Sequence, residues 1–241
     1  MKTRSKSSRK SKKPNGVKLS GRNLQVRVKT AKGRKVSSVR WLNRQLNDPY
    51  VQEAKKHGFR SRAAFKLIQL NEKFKLLRSG QRVVDLGSAP GSWSQVIAEI
   101  VDPLGSGGKV IAIDLLEMEE IAPVQIIRGD IREPETQLLA KQLLGNSADV
   151  IFSDMLPSVS GHKATDQYRS IALCEDTYVF SVDLLVIGGT LVMKMLTGVG
   201  QDTLLKLLKQ NFKSVKTFKP PASRSESSET YVVAKGFRKL G

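Results

Sequence analysis

A chain of 241 residues with 41 Lys plus Arg against 22 Asp plus Glu carries a formal net charge of +19 and has the length of one catalytic domain with a tail. Its 39% of hydrophobic residues can supply a sizeable core, and no unbroken apolar run nears the roughly 18 residues of a membrane span, so an integral membrane protein is not expected. The single cysteine, Cys174, excludes an intramolecular disulfide framework and a zinc site built on several thiolates, and it suits a reducing compartment.

Charge is concentrated at the start of the chain. Residues 1–62 hold 20 Lys or Arg against Asp48 and Glu53, whereas residues 63–241 hold 21 basic against 20 acidic residues. Like charges repel and cannot form a core, so residues 1–38 read as a disordered, solvated arm. The sharper reading is a contact surface for RNA or DNA, because each Lys or Arg that neutralises a phosphate releases condensed counterions. A mitochondrial transit peptide is also basic and Ser-rich, but the first 20 residues have only Val17 and Leu19 as large aliphatics after Met1, too few for an amphipathic helix. A secretory signal would need an apolar stretch, which is absent.

Ordered structure is expected from about Val39, giving one domain over 39–241 whose segment 39–80 is helical. Asp48-Pro49 has the form of a helix start, and a short helix follows to Gly58. From Ser61 the spacing of Phe65, Leu67, Ile68, Leu70, Phe74 and Leu77 fits an amphipathic helix closed by Gly80. Strand-like runs then fall at 82–86, 109–113, 124–128, 149–153, 189–195, 214–218 and 230–234, and helix-like segments at 92–101, 134–144, 166–185 and 201–211. Alternation of this kind predicts an α/β domain with a seven-stranded, mostly parallel sheet. The last two strands have only a loop between them, which predicts a C-terminal antiparallel hairpin.

The first strand runs into Asp85-Leu86-Gly87-Ser88-Ala89-Pro90-Gly91-Ser92-Trp93. Ligands of open α/β sheets bind at the carboxyl ends of the strands, where a glycine turn allows close backbone approach. The spacing Gly-x-Gly-x-x-Gly of a dinucleotide site is missing, as is the Gly-Lys-Ser or Gly-Lys-Thr of a phosphate loop. A Gly-x-x-x-Gly turn without lysine suits a ligand end lacking phosphates, such as the amino-acid end of S-adenosylmethionine; an ordinary strand-to-helix turn is the equal alternative. Asp114 at the end of the second strand is suited to a ribose diol, and Asp130, read as closing the third, to an adenine amino group. Either acid alone is more often a cap or a surface charge, but three successive strands ending in acids favour a site.

The fourth strand ends in Ser153-Asp154-Met155-Leu156-Pro157. Enzymes that methylate an exocyclic base nitrogen commonly carry Pro-Pro and an aromatic here, and this loop has no adjacent aromatic. Methylation of a base carbon needs a cysteine nucleophile, and Cys174 lies inside a helical pattern, where packing is the simpler reading. A ribose hydroxyl needs neither, only a group that orients or removes its proton. Lys194, near the end of the apolar strand Leu191-Val192-Met193-Lys194-Met195, is costly if buried and unpaired; it sits at the strand's open end or serves a site.

The segments Arg60-x-Arg62-x-x-Phe65-Lys66-Leu67, Asp85-Leu86-Gly87-x-Ala89-Pro90-Gly91-x-Trp93, Ser153-Asp154-Met155, Lys194 and Ser228-Glu229-x-Tyr231, in this order, resemble the FtsJ/RrmJ (RlmE) family of ribosomal RNA 2′-O-ribose methyltransferases. The resemblance spans about Val39 to the C-terminus and implies a Rossmann-like class I methyltransferase fold with S-adenosylmethionine as cofactor and no metal. By position it implies Lys66, Asp154, Lys194 and Glu229 as the catalytic tetrad, and Gly91, Trp93, Asp114 and Asp130, with Asp154, as cofactor contacts. Ser88 and Ser92 stand where small residues are usual in the family's turn, and the long basic arm is a departure. The implied substrate is a uridine of 23S ribosomal RNA in the large ribosomal subunit, met through the RNA-facing segment 39–80 by a cytoplasmic monomer. Cap and tRNA 2′-O-methyltransferases share the tetrad and are the enzymatic alternatives; an RNA-binding ribosome assembly factor without catalysis is the third.

Overall fold

A computed structural model of the chain describes Gly33, residues 35–158 and residues 160–238. Most of the basic arm expected over 1–38 lies outside the described residues. Its end does not: helix α1 (Val36–Leu46) starts three residues before the expected onset of order at Val39.

Helix α2 (Pro49–His57) follows the expected signals, with the Asp48 carboxylate accepting from Tyr50 N at 3.0 Å and Gly58 closing the helix at φ 73°. Helix α3 (Ala64–Phe74) ends six residues short of the expected stop at Gly80. The Asn71 side chain accepts from the backbone amides of Leu76 and Leu77, both at 2.9 Å, and this local alternative to helical bonding ends α3 after Phe74.

The remaining elements are β1 (Arg82–Leu86), α4 (Ser92–Val101), α5 (Pro103–Ser106), β2 (Lys109–Asp114), β3 (Gln125–Arg128), α6 (Pro134–Leu144), β4 (Ala148–Ser153), α7 (Lys163–Leu184), β5 (Leu185–Leu196), α8 (Gln201–Asn211), β6 (Phe212–Phe218) and β7 (Glu229–Phe237). The seven strands form one sheet in the order β3-β2-β1-β4-β5-β7-β6. Strands β3 to β5 pair in parallel; β7 runs antiparallel to both neighbours, so the C-terminal hairpin is present but its second strand is inserted between β5 and β6. Strand β5 is longer than the expected 189–195. Its pairing shifts between Ala148↔Leu185 and Val150↔Thr190, and the Gly188-Gly189 pair in that irregular stretch is what masks the strand's first half in the sequence.

Helices cover both faces. One face packs Ile111, Ile151, Leu191, Met193 and Val232 under α6, α7 and α8; the other packs Val83, Val110, Phe152, Val192 and Tyr231 under α3 and α4. Double coverage explains why β1, β2 and β4 read as nearly continuous apolar runs. The strand order reverses beside β1, between β2 and β4, and a crevice opens there at the carboxyl ends of the strands.

Candidate active site

The turn after β1 is built around Gly87, whose φ is 70° and where a Cβ would stand 2.5 Å from Met155 Cγ. Only glycine fits, so Met155 packs against the turn and the loop after β4 is held over the crevice. Asp114 fixes the turn from the next strand: its carboxylate accepts from Ala89 N and Leu116 N, both at 2.8 Å. Gly87, Asp114, Asp130, Asp154 and Met155, with exposed Leu115 and Leu116, line a cavity of about 580 Å³. That volume lies inside the range of small-molecule sites, and carboxylates beside exposed leucines suit a ligand with hydroxyl or amino donors and a flat apolar part.

Not every expected residue reaches this cavity. Asp130 does, but it stands two residues past the end of β3 rather than closing it, and its carboxylate takes Arg132 Nε at 3.0 and 3.1 Å. The Arg132 guanidinium holds the Asp130 carboxyl below the usual carboxylate range against a smaller upward push from burial. Gly91 and Trp93 are not among the cavity's lining residues. Gly91, at φ 105°, caps α4, and a Cβ there would meet Ile121, Met118 and Arg60 within 3 Å. Trp93 is buried below the turn, its indole donating to Ala63 O at 2.8 Å and its ring 5.7 Å from Tyr231 and 5.8 Å from Phe152. Asp85 is fully buried; Ser94 Oγ donates to its Oδ2 at 2.6 Å, and Oδ1 has no partner.

The four ionisable groups of the expected tetrad form two ion pairs. Lys194 Nζ lies 3.1 Å from Asp154 Oδ1 and also donates to the Asp154 carbonyl, and Lys66 Nζ lies 2.7 Å from Glu229 Oε1. Lys194 is thus buried and paired, which meets the cost that its place in an apolar strand implied. Four segments position these groups: α3 carries Lys66, the loop beyond β4 carries Asp154, β5 carries Lys194 and β7 carries Glu229. Burial pushes the Glu229 carboxyl up, but the Lys66 ammonium, together with Ser223 and Lys194, more than offsets it, and the carboxyl lies below its ordinary range.

Tyr231 joins the two pairs, and the residue-by-residue reading did not single it out. Its register partner is Lys194, its hydroxyl donates to Asp154 Oδ1 at 2.5 Å, and its ring centroid is 5.9 Å from Lys66 Nζ. The available signal was period two, since Glu229 and Tyr231 share one face of a strand. Burial pushes the Tyr231 hydroxyl well above its ordinary pKa, so it acts as a neutral donor. On the far side of Lys66, a second cavity of about 250 Å³ is lined by Arg62, Ala63, Lys66, Arg224, Ser227 and Glu229. The charged cluster therefore borders both cavities, with Asp154 lining the first and Lys66 and Glu229 lining the second. Cys174 takes no part: it is buried, its thiol donates to Lys194 O at 3.2 Å, and burial pushes its pKa up to about 12.

Among the described residues no helix is long and apolar enough to cross a membrane, and no group of three or more His, Cys, Asp or Glu is arranged to hold a metal ion.

Comparison with known proteins gives a consistent result. The model of the FtsJ-like methyltransferase family matches residues 59–237. A protein of Jannaschia sp. (strain CCS1) named ribosomal RNA large subunit methyltransferase E is 53% identical over 222 residues, which is 90% of this chain and 94% of that protein. One of the same name from Ruegeria sp. (strain TM1040) is 51% identical over 235 residues, covering 94% of this chain and 99% of the other. A crystal structure of a ribosomal RNA methyltransferase from Plasmodium falciparum superposes with a TM-score of 0.67 at 33% identity, covering 74% of this chain and 98% of that one.

Proposed function

Because the chain belongs to the FtsJ-like methyltransferase family, we propose that it transfers the methyl group of S-adenosylmethionine to a ribose 2′-hydroxyl of large-subunit ribosomal RNA, at a uridine, as a cytoplasmic monomer. The observation that carries this reading is the Tyr231-linked pair of ion pairs, Lys194 with Asp154 and Lys66 with Glu229, bordering the two cavities.

The residues fit the cofactor. Asp114 at the end of β2 is suited to its ribose diol, Asp130 to its adenine amino group, the exposed Leu115 and Leu116 to the purine faces, and the turn through Gly91 with Asp154 to its amino-acid end. Trp93 would serve by packing below that turn. Bound there, S-adenosylmethionine would supply an activated sulfonium methyl, and the ribose hydroxyl that accepts it must give up its proton.

The chain's own work is alignment and handling of that proton. Lys194 is held by two oxygens of Asp154, so its ammonium points at a defined place beside the cofactor cavity. Tyr231 occupies the same carboxylate oxygen and restricts its motion. Lys66 and Glu229 border the second cavity, where the acceptor nucleotide would enter, and Arg224 would face its phosphates, while Arg62 is tied to the Asp48 carboxylate and the Ala222 carbonyl. As the ammonium Lys194 orients the hydroxyl; to take the hydroxyl proton it must first release one of its own to water and become a neutral amine.

The test is single-turnover methylation of large ribosomal subunits from a strain lacking this gene, with labelled cofactor, followed by mapping of bonds that resist alkaline cleavage. Label at one uridine with a protected 3′ bond is the expected result. Label on a base, or RNA binding without methyl incorporation, would overturn the proposal.

A further inference from the structure

We propose that the groove between the C-terminal end of α3 and the edge strand β6 is a second RNA contact, which holds the phosphate backbone flanking the acceptor nucleotide. The proposal rests on the reading above that RNA is the substrate.

Four lysines surround this groove: Lys73 on α3, Lys213 and Lys216 on β6, and Lys235 on β7, around a cavity of about 530 Å³. Among the described residues, none of the four has a carboxylate within ion-pair distance. Residues 63–241 are nearly neutral as a whole, so four ammonium groups converging without a counter-charge mark a site for a polyanion rather than an average stretch of surface. Two of them are already ordered. Lys235 Nζ donates to Phe74 O at 3.0 Å, and Lys73 Nζ lies 4.1 Å from the centroid of the Phe218 ring.

The groove lies further along α3 and β7 from the Lys66–Glu229 pair. Lys66 and Lys73 are two helical turns apart on α3, about 10.5 Å along the axis. Lys66 sits over the Tyr231 ring and Lys73 over the Phe218 ring, and Tyr231 and Phe218 are register partners on neighbouring strands. Lys235 is four residues along β7 from Tyr231, about 13 Å. An RNA strand with its ribose at Lys194 therefore meets the groove lysines within a few nucleotides.

Lysine on an edge strand also discourages sheet-to-sheet association, which could account for Lys213 and Lys216. It does not account for Lys73 and Lys235, which lie off the edge and face the same cavity.

The test uses the full chain carrying Lys213→Gln and Lys216→Gln together, with Lys206→Gln and Lys209→Gln on α8 as a control that removes equal charge elsewhere. Binding to unmethylated large subunits is followed from 50 to 200 mM salt, with methylation kinetics on the same substrate and cofactor affinity by calorimetry. The groove variant should lose about 1.4 to 1.8 from the steepness of log affinity against log salt, the value for two phosphate contacts, and raise KM for subunits several-fold with unchanged kcat and cofactor affinity. The control should leave the slope unchanged. An unchanged slope in the groove variant, or an equal change in the control, would overturn the groove contact. Failure of the unaltered protein to methylate subunits would instead overturn the RNA reading itself.

Discussion

The Lys194 ammonium is fastened to Asp154 twice, 3.1 Å from the carboxylate and bonded to the carbonyl of the same residue, so the two move as one unit across the ends of β4 and β5. A group held this firmly can orient an incoming hydroxyl without paying for its own immobilisation at the moment of reaction. Lys194→Ala is expected to bind RNA and S-adenosylmethionine nearly normally and to lose about 100-fold or more in single-turnover methylation of large subunits. Lys194→Arg should not rescue it, because a planar guanidinium stays protonated and does not match the geometry set by Asp154. Near-normal rates in either variant would move the proton chemistry elsewhere.

Arg60 links the segment ahead of α3 to the loops after β1 and β2. Its guanidinium donates to Pro90 O at 2.9 Å and to Glu119 O and Glu120 O at 2.8 Å, tying the glycine turn after β1 to the loop after β2. An ammonium cannot reproduce that fork. Arg60→Lys should weaken cofactor binding by about tenfold, the scale of one lost charged hydrogen bond, while affinity for RNA stays level. Calorimetry with each ligand separately makes the distinction, and equal losses for both would mean general loosening instead.

Asp85 makes stability depend on pH in the opposite sense from a paired carboxylate. Burial pushes its carboxyl from 3.8 to about 7, the Asp154 and Asp114 charges add to the rise, and the Ser94 bond offsets only part of it. A folded-state value above the unfolded one means that the native protein holds the proton more tightly, so Asp85 costs nothing below about pH 4 and costs progressively more up to about pH 7. Asp85→Asn keeps an acceptor for Ser94 and removes the charge. Denaturant titrations should show the variant gaining on the parent across that window, by no more than about 4 kcal/mol. A difference independent of pH would show that Asp85 is ionised throughout.

Cys174 offers a direct check that no thiol chemistry is involved. With its pKa pushed up to about 12 by burial and its hydrogen directed to Lys194 O, the thiol should resist alkylation at pH 8 in the folded protein and react after unfolding. Cys174→Ala should retain methylation within a few-fold. Rapid labelling of the folded protein together with loss of activity would contradict this.

The basic arm can be removed without cutting into α1 if the deletion covers residues 1–34, because that helix starts at Val36. The shortened chain should bind RNA more weakly and with a shallower salt dependence, at unchanged cofactor affinity. An unchanged salt slope would make the arm a bystander.

Local signals in the sequence determined the order of the strands and of most helices, and several of their limits, but marked out neither α1 nor the short α5. Helices α4, α6 and α8 occupy the residues that apolar periodicity marks out, and Asp48, Pro49 and Gly58 bound α2 as their capping chemistry dictates. The family resemblance named the four ionisable residues Lys66, Asp154, Lys194 and Glu229, but their pairing was not legible. Which lysine meets which acid depends on β7 entering the sheet between β5 and β6, which sets Tyr231 opposite Lys194 and brings Glu229 to Lys66. Strand order is a contest among distant pairings and leaves no period in the chain. The early end of α3 is a local contest, the Asn71 side chain taking backbone amides five and six residues on, whereas the burial of Trp93 below the turn and the lysine groove beside β6 are decided by residues far apart in sequence that only the folded sheet and its helices bring within reach.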